Sequence, residues 1–371
     1  MVGTRLEITP AVYSFSTTYL GGHEMKALVK TAKGQGHVEL KNDWPKPEVR
    51  DGWVLVEVVA SGICGTDVHI LEDTHKNWPP VILGHEYTGR IVEVGNDCGS
   101  WSVGDRVVCE QHTGACMICD ACRRGAIHLC PAKRSPGWGI DGAFAEFVLL
   151  PAALLHKIPD GVDFRTATVT EPTAICITGL DRAGICIGES VLIIGPGPIG
   201  LLSAMLAKAG GASRVVVVGR PSSAGRLNIA ESIGIETYLL EDSDKAVRDL
   251  GEVFDLTIDS TGAGGSLTLC SRLTRRLGRV LELGLSNTAE ISFAINAATT
   301  KSLTIFTSLS SEYSSWDRAL AFMASKKYDP SVLTSLYALD DWENAFRDVE
   351  KRRVVKALIT PQDFSVLDQR E

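Results

Sequence analysis

No stretch of the 371 residues stays apolar for 18 positions, so no segment can cross a bilayer as a helix. The apolar run nearest the start, Ala11 to Phe15, is interrupted by Ser14 and is too short for a signal-peptide core. There is no excess of basic residues either. Lys and Arg number 37 against 45 Asp and Glu, a formal charge of −8. Nucleic acid and anionic membrane both need a basic face, so neither is an expected partner. Internal repeats and low-complexity tracts are also missing.

What remains is ordinary globular composition, 44% hydrophobic and 22% charged, on a length that suggests roughly two domains. Residues 1–24 differ in character and read as an extension ahead of Met25 rather than as a targeting segment. Of the ten cysteines, five fall between Cys109 and Cys130. A disulfide scaffold is typically short and secreted; clustered thiols in a longer chain read as metal ligands, and the reading is a reducing, cytoplasmic protein.

The pattern changes near residue 175. Before it come short β-branched runs punctuated by Gly and Pro, at Trp53–Ala60, Gly89–Val94, Arg106–Cys109 and Ala145–Leu150. These predict a barrel-like β domain. After it, strands at Val191–Ile194, Val215–Val218, Phe254–Asp259, Arg279–Leu283 and Leu303–Thr307 alternate with helical patterns. That rhythm predicts a doubly wound parallel sheet. Helices are expected at Ser315–Lys326 and Asp341–Glu350, then a strand at Val354–Ile359 that returns to the first domain.

Three motifs carry chemistry. Cys116, Cys119, Cys122 and Cys130 follow a C-x2-C-x2-C-x7-C spacing that can close a tetrahedron of thiolates around one structural zinc. Cys64-Gly-Thr-Asp-Val-His69 and Gly84-His85-Glu86 offer sulfur, nitrogen and oxygen to a second zinc with an open position. Glu171 is a candidate exchangeable ligand, and Asp67 a candidate to orient His85. Gly195-Pro196-Gly197-Pro198-Ile199-Gly200 follows a buried strand and opens a helix, the context a dinucleotide turn requires. At the end of the next strand an NAD site would carry an acid. Here stand Gly219 and Arg220, with Ser222, Ser223 and Arg226 close behind, a set better suited to a 2′-phosphate. Glu110 and His112 read equally as pocket lining or as a solvated loop.

From Met25 to Ile359 these motifs together resemble the zinc-dependent medium-chain alcohol dehydrogenase family, threonine and polyol (sorbitol-type) branch. The resemblance implies a GroES-like β-barrel-type catalytic domain (25–174 and 311–371) and a Rossmann doubly wound parallel-sheet cofactor domain (175–310). It implies two zincs per chain: a catalytic one on Cys64, His85 and Glu86, with Glu171 on or near it, and a structural one on the four clustered cysteines. Thr66 matches the hydroxyl that passes the substrate proton, and His69 a later member of that relay. Gly195, Gly197 and Gly200 match the dinucleotide turn. The strand near Leu303–Thr307 matches the segment through which family members pair, implying a homodimer or homotetramer. The expected reaction is hydride transfer between a small alcohol or carbonyl substrate and a nicotinamide cofactor, NADP preferred and NAD possible. A non-catalytic NADPH-binding protein is the alternative; loss of a ligand or relay residue would favour it, and none is lost.

Overall fold

The computed structural model describes residues 23–286 and 288–370. The expected extension, residues 1–24, lies outside them save for its last two, and the first strand begins at Glu24.

Two sheets dominate. One has the order Thr334–Ala338, Lys356–Thr360, Trp53–Gly62, Glu86–Val94, Arg106–Cys109, Leu155–Lys157, with Phe147–Pro151 laid along Trp53–Gly62. Trp53–Gly62 is buried on both faces apart from Glu57, as its nearly unbroken apolar run requires. The expected return of the last strand is observed: Leu358 pairs with Gly62 and Ile359 with Ser61, antiparallel. Gly62 also pairs with Glu86 on its other side. A Cβ on Gly62 would stand only 2.3 Å from Glu86 Oε2, so glycine is what lets that carboxylate lie across the strand.

The second sheet is fully parallel, ordered Glu236–Leu239, Arg214–Gly219, Ser190–Ile194, Phe254–Asp259, Thr274–Glu282, Thr304–Thr307. Strand order reverses beside Ser190–Ile194, and open α/β sheets bind ligands at the carboxyl ends of the strands there. The glycine-rich turn leaves that end. Val191, Leu192 and Ile193 are each fully buried, a gain of roughly 1.5–3 kcal/mol per side chain.

The change of pattern near residue 175 falls inside one helix, Thr170–Ala183. This helix packs on Pro198–Ala209 on one side and on Tyr313–Ala324 on the other. One apolar cluster runs from Val59 and Phe164 in the first part through Val191 and Leu201 to Trp316. The two lobes therefore share a core. Sequence patterning missed the hairpin Glu24–Lys30 with Val38–Pro45 and the strands Glu236–Leu239 and Thr334–Ala338. All but the first are half-polar, with little period-two signal.

Candidate active site

The helix Gly65–Leu71 starts where Trp53–Gly62 ends, with Cys64 at its N-cap. His85 and Glu86 lie at the start of the neighbouring strand. The ligand atoms of Cys64, His85 and Glu86 lie within 4.8 Å of one another. Asp67 binds both ligand-bearing segments together. Its Oδ2 accepts from the Cys64 amide at 2.9 Å, its Oδ1 from the Gly84 amide at 3.4 Å, and Oδ1 stands 3.5 Å from His85 Nδ1. Burial alone would lower the pKa of His85, but Asp67 and Cys64 outweigh it and hold the imidazole well above its usual range. A thiol, an imidazole and a carboxylate gathered in a buried corner are a donor set that suits zinc.

Glu86 faces two ways. Lys356 Nζ donates to its Oε1 at 2.8 Å and its Oε2 at 2.7 Å, and to the Ile63 carbonyl at 3.2 Å. Among the described residues Glu171 stands outside the 4.8 Å group. It is buried, and Gln111 Nε2 donates to its Oε1. Burial, then the charge of Glu86, push its carboxyl up to about 8. Thr66 Oγ1 lies 3.8 Å from Cys64 Sγ. His69, one helical turn on, has a half-exposed ring, with Nδ1 3.4 Å from both Glu72 Oε2 and Thr74 Oγ1.

The four clustered sulfurs also fall within 4.8 Å of one another. Backbone amides point at them: Cys116 N to Cys130 Sγ at 3.2 Å, Cys119 N to Cys116 Sγ at 3.4 Å, Cys122 N to Cys119 Sγ at 3.5 Å. Such N–H donors stabilise thiolates. A metal here would be enclosed by protein sulfur.

The glycine turn fits a dinucleotide. Gly195 adopts φ +106°, and a Cβ on Gly200 would sit 1.9 Å from the Gly195 carbonyl, whereas Gly197 has nothing within 4 Å of its Cβ position. Backbone is thus packed tightly behind the turn and open in front. Gly197 caps the helix Pro198–Ala209, with Pro198 and Ile199 in its first turn; its free N–H groups favour an anion. A cleft of about 340 Å³ opens there, lined by Gly195, Gly197, Gly219, Arg220, Ser223 and Arg226 among others. Ser222 is exposed beside it. Arg226 is largely committed: its Nε and Nη2 donate to the Val354 carbonyl at 3.0 and 2.6 Å. The space at Gly219 is also taken, since a Cβ there would meet Pro196 Cγ at 2.9 Å and Leu227 Cδ2 at 3.0 Å.

Residues 50–160 match the model of the alcohol dehydrogenase GroES-like domain, and residues 198–325 that of the zinc-binding dehydrogenases. A sorbitol dehydrogenase of Halalkalibacterium halodurans is 33% identical over 346 residues, covering 91% of this chain and 100% of that one. The chain belongs to the zinc-dependent alcohol dehydrogenase family. Two solved structures are similar throughout. A Sinorhizobium meliloti protein described as a zinc-binding dehydrogenase and bound to NADP superposes with TM-score 0.83 at 29% identity, over 92% of this chain and all of that one. An alcohol dehydrogenase of Escherichia coli complexed with NADH gives TM-score 0.82 at 25% identity, over 91% and 100%.

In this dehydrogenase several residues invisible to motif reading shape the site. Trp138 packs edge-on against His85, ring centroids 5.0 Å apart, and against His75 at 5.5 Å. Trp101 instead donates to the Ala152 carbonyl in the β lobe. Glu110 and His112 are not a solvated loop; both are buried. His112 Nε2 lies 2.9 Å from the Ser311 carbonyl, and Glu110 Oε1 lies 3.3 Å from His156 Nε2. Burial pushes the His112 imidazole down to about 3. Lys356 had a signal: it is the one charge in the apolar run Val354–Ile359, and a lysine in a buried strand needs an anionic partner. No helix among the described residues is long and apolar enough to cross a membrane.

Proposed function

We propose that the enzyme is an NADP-preferring, zinc-dependent dehydrogenase of a small polyol, sugar or similarly hydroxylated metabolite. The observation that carries the reading is the Cys64–His85–Glu86 donor set, with a hydroxyl, Thr66, 3.8 Å from its sulfur. Cys64, His85 and Glu86 would hold the catalytic zinc, with Glu171 close enough to feel the charge of Glu86; Cys116, Cys119, Cys122 and Cys130 would hold the structural one. When bound, zinc supplies Lewis acidity to the substrate oxygen and the nicotinamide supplies the two-electron acceptor. Thr66 Oγ1 takes up the proton of the substrate hydroxyl and passes it toward solvent, where His69 receives it. Asp67 holds His85 in place through Nδ1, and Lys356 balances the buried charge of Glu86. Trp138 covers His85 and keeps water from it.

The catalytic lobe is assigned to residues 25–174 and 311–371 and the cofactor lobe to 175–310. In the cofactor lobe, Gly195, Gly197, Pro198, Ile199 and Gly200 would face the pyrophosphate. Gly219, Arg220, Ser222, Ser223 and the uncommitted Nη1 of Arg226 would face the ribose, where no acid stands to repel a 2′-phosphate. Thr304–Thr307 is an edge of the parallel sheet, which supports pairing with a second copy as a homodimer or homotetramer. The reduced-thiol chemistry of both metal sets favours the cytoplasm.

The test is a reduction screen of NADP+ and NAD+ over polyols, sugars, amino alcohols and simple alcohols. A charge-assisted phosphate contact is worth about 1.5–3 kcal/mol, so kcat/KM should favour NADP+ by roughly 10- to 150-fold. Turnover of no polyol or sugar, or equal use of NAD+, would overturn the corresponding half of the proposal.

A further inference from the structure

The cofactor cleft has a wall that the glycine-turn segment does not supply. Arg352 lines it together with Arg220, Ser223 and Arg226, yet it lies between the helix Trp342–Glu350 and the strand Lys356–Thr360, which belong to the catalytic lobe. Its Nη1 reaches Ser222 Oγ at 3.3 Å, and two residues on the Val354 carbonyl receives Arg226. The ribose end of the cleft is thus a seam between the lobes. The positive charge in it is unbalanced. Among the described residues neither Arg220, Arg226 nor Arg352 makes an ion pair, while the adjacent Arg353 is held by Asp348 at 3.0 Å. Burial, then the nearby charge of Arg352, pull Arg226 down to about 10; like charges crowd where no carboxylate answers them. Arg352 also has φ 56° just past a helix end, a place that ordinarily favours glycine. The left-handed backbone does not itself call for an arginine there.

We propose that Arg352 is a cofactor-specificity residue, its guanidinium joining Arg220 on the 2′-phosphate of NADP(H) and fastening the tail of the catalytic lobe to the cofactor lobe. This rests on the NADP reading above. Guanidinium groups suit phosphate because their N–H donors form a rigid fork, and two arginines from different lobes can grip one phosphate from two sides.

Binding without turnover tests it. NADPH and NADH are titrated by their own fluorescence against wild type, Arg352→Asn and Arg352→Gln, and 2′,5′-ADP and 5′-AMP are used as displacers. Asparagine tolerates the left-handed backbone, so one variant keeps the helix end intact. Expected is a 10- to 150-fold loss for NADPH and 2′,5′-ADP, the range of a lost charge-assisted contact, with NADH and 5′-AMP within about twofold. Equal loss for both cofactors, or no loss for either, would overturn the assignment. If wild type prefers NADPH and both variants keep that preference, Arg352 alone is wrong. If wild type binds NADH as tightly as NADPH, the NADP reading falls and this inference with it.

Discussion

Replacing Lys356 by Met isolates the buried ion pair that Lys356 makes with Glu86. The Lys356 and Glu86 side chains are 3% and 1% exposed, and the ammonium holds both carboxylate oxygens at 2.7–2.8 Å. Methionine fills most of the volume, so the main loss is electrostatic: a carboxylate stranded away from water. Breaking one side of a buried pair costs about 3–5 kcal/mol, on the order of 5 °C in Tm for a chain of 371 residues. Replacing both partners, as Lys356→Met with Glu86→Gln, removes the stranded charge and should recover much of that loss, because the two sites are coupled. The assay is thermal unfolding by circular dichroism of wild type, both single variants and the double variant after chelation of metal from the Cys64–His85–Glu86 set, so that no zinc answers the Glu86 charge or is lost with that ligand. A Lys356→Met variant as stable as wild type would refute the reasoning, as would a double variant less stable than the sum of the singles.

Further outcomes follow from other contacts. Thr66→Val keeps shape but removes the hydroxyl, and kcat should fall roughly 10²-fold or more; near-wild-type kcat with chemistry rate-limiting would exclude it from the proton path. His156 is tied to Asp317 Oδ1 at 2.7 Å and Glu110 Oε1 at 3.3 Å, and although burial lowers its pKa, those two bonds raise it above 6.5 on balance. A folded pKa above the unfolded value means its stabilisation is complete below about pH 6.5 and is lost as pH rises through the folded value. The Tm difference between wild type and His156→Gln should therefore be largest near pH 6 and shrink on raising the pH; a difference that grows would reverse the sign.

The parts of the site that the sequence made legible are local ones. Thiol spacing, a glycine turn after a buried strand and the Cys64–His69 segment all carry their meaning within a few residues. The β/α rhythm was equally readable, because buried parallel strands are continuous apolar runs. Long-range partners were not. Lys356 meets Glu86 across 270 positions, brought together by the pairing of Leu358 and Ile359 with Gly62 and Ser61 on one side and of Gly62 with Glu86 on the other. Arg226 looked like a phosphate ligand by its place after Gly219, yet the Val354 carbonyl takes two of its donors. Arg352, far along the chain, lines the cleft beside it. Strands such as Glu236–Leu239 went unread because an edge strand with little buried surface has little hydrophobic period.

The central claim is that two metal sets in one chain do different work, and metal analysis of paired variants tests it most directly. Wild type should carry two zincs per chain. His85→Ala should fold, retain about one zinc and lose turnover, while Cys119→Ser should lose folding stability, because a closed thiolate shell contributes folding free energy. Full activity in His85→Ala, or zinc-free wild type with Cys116, Cys119, Cys122 and Cys130 intact and reduced, would contradict the account.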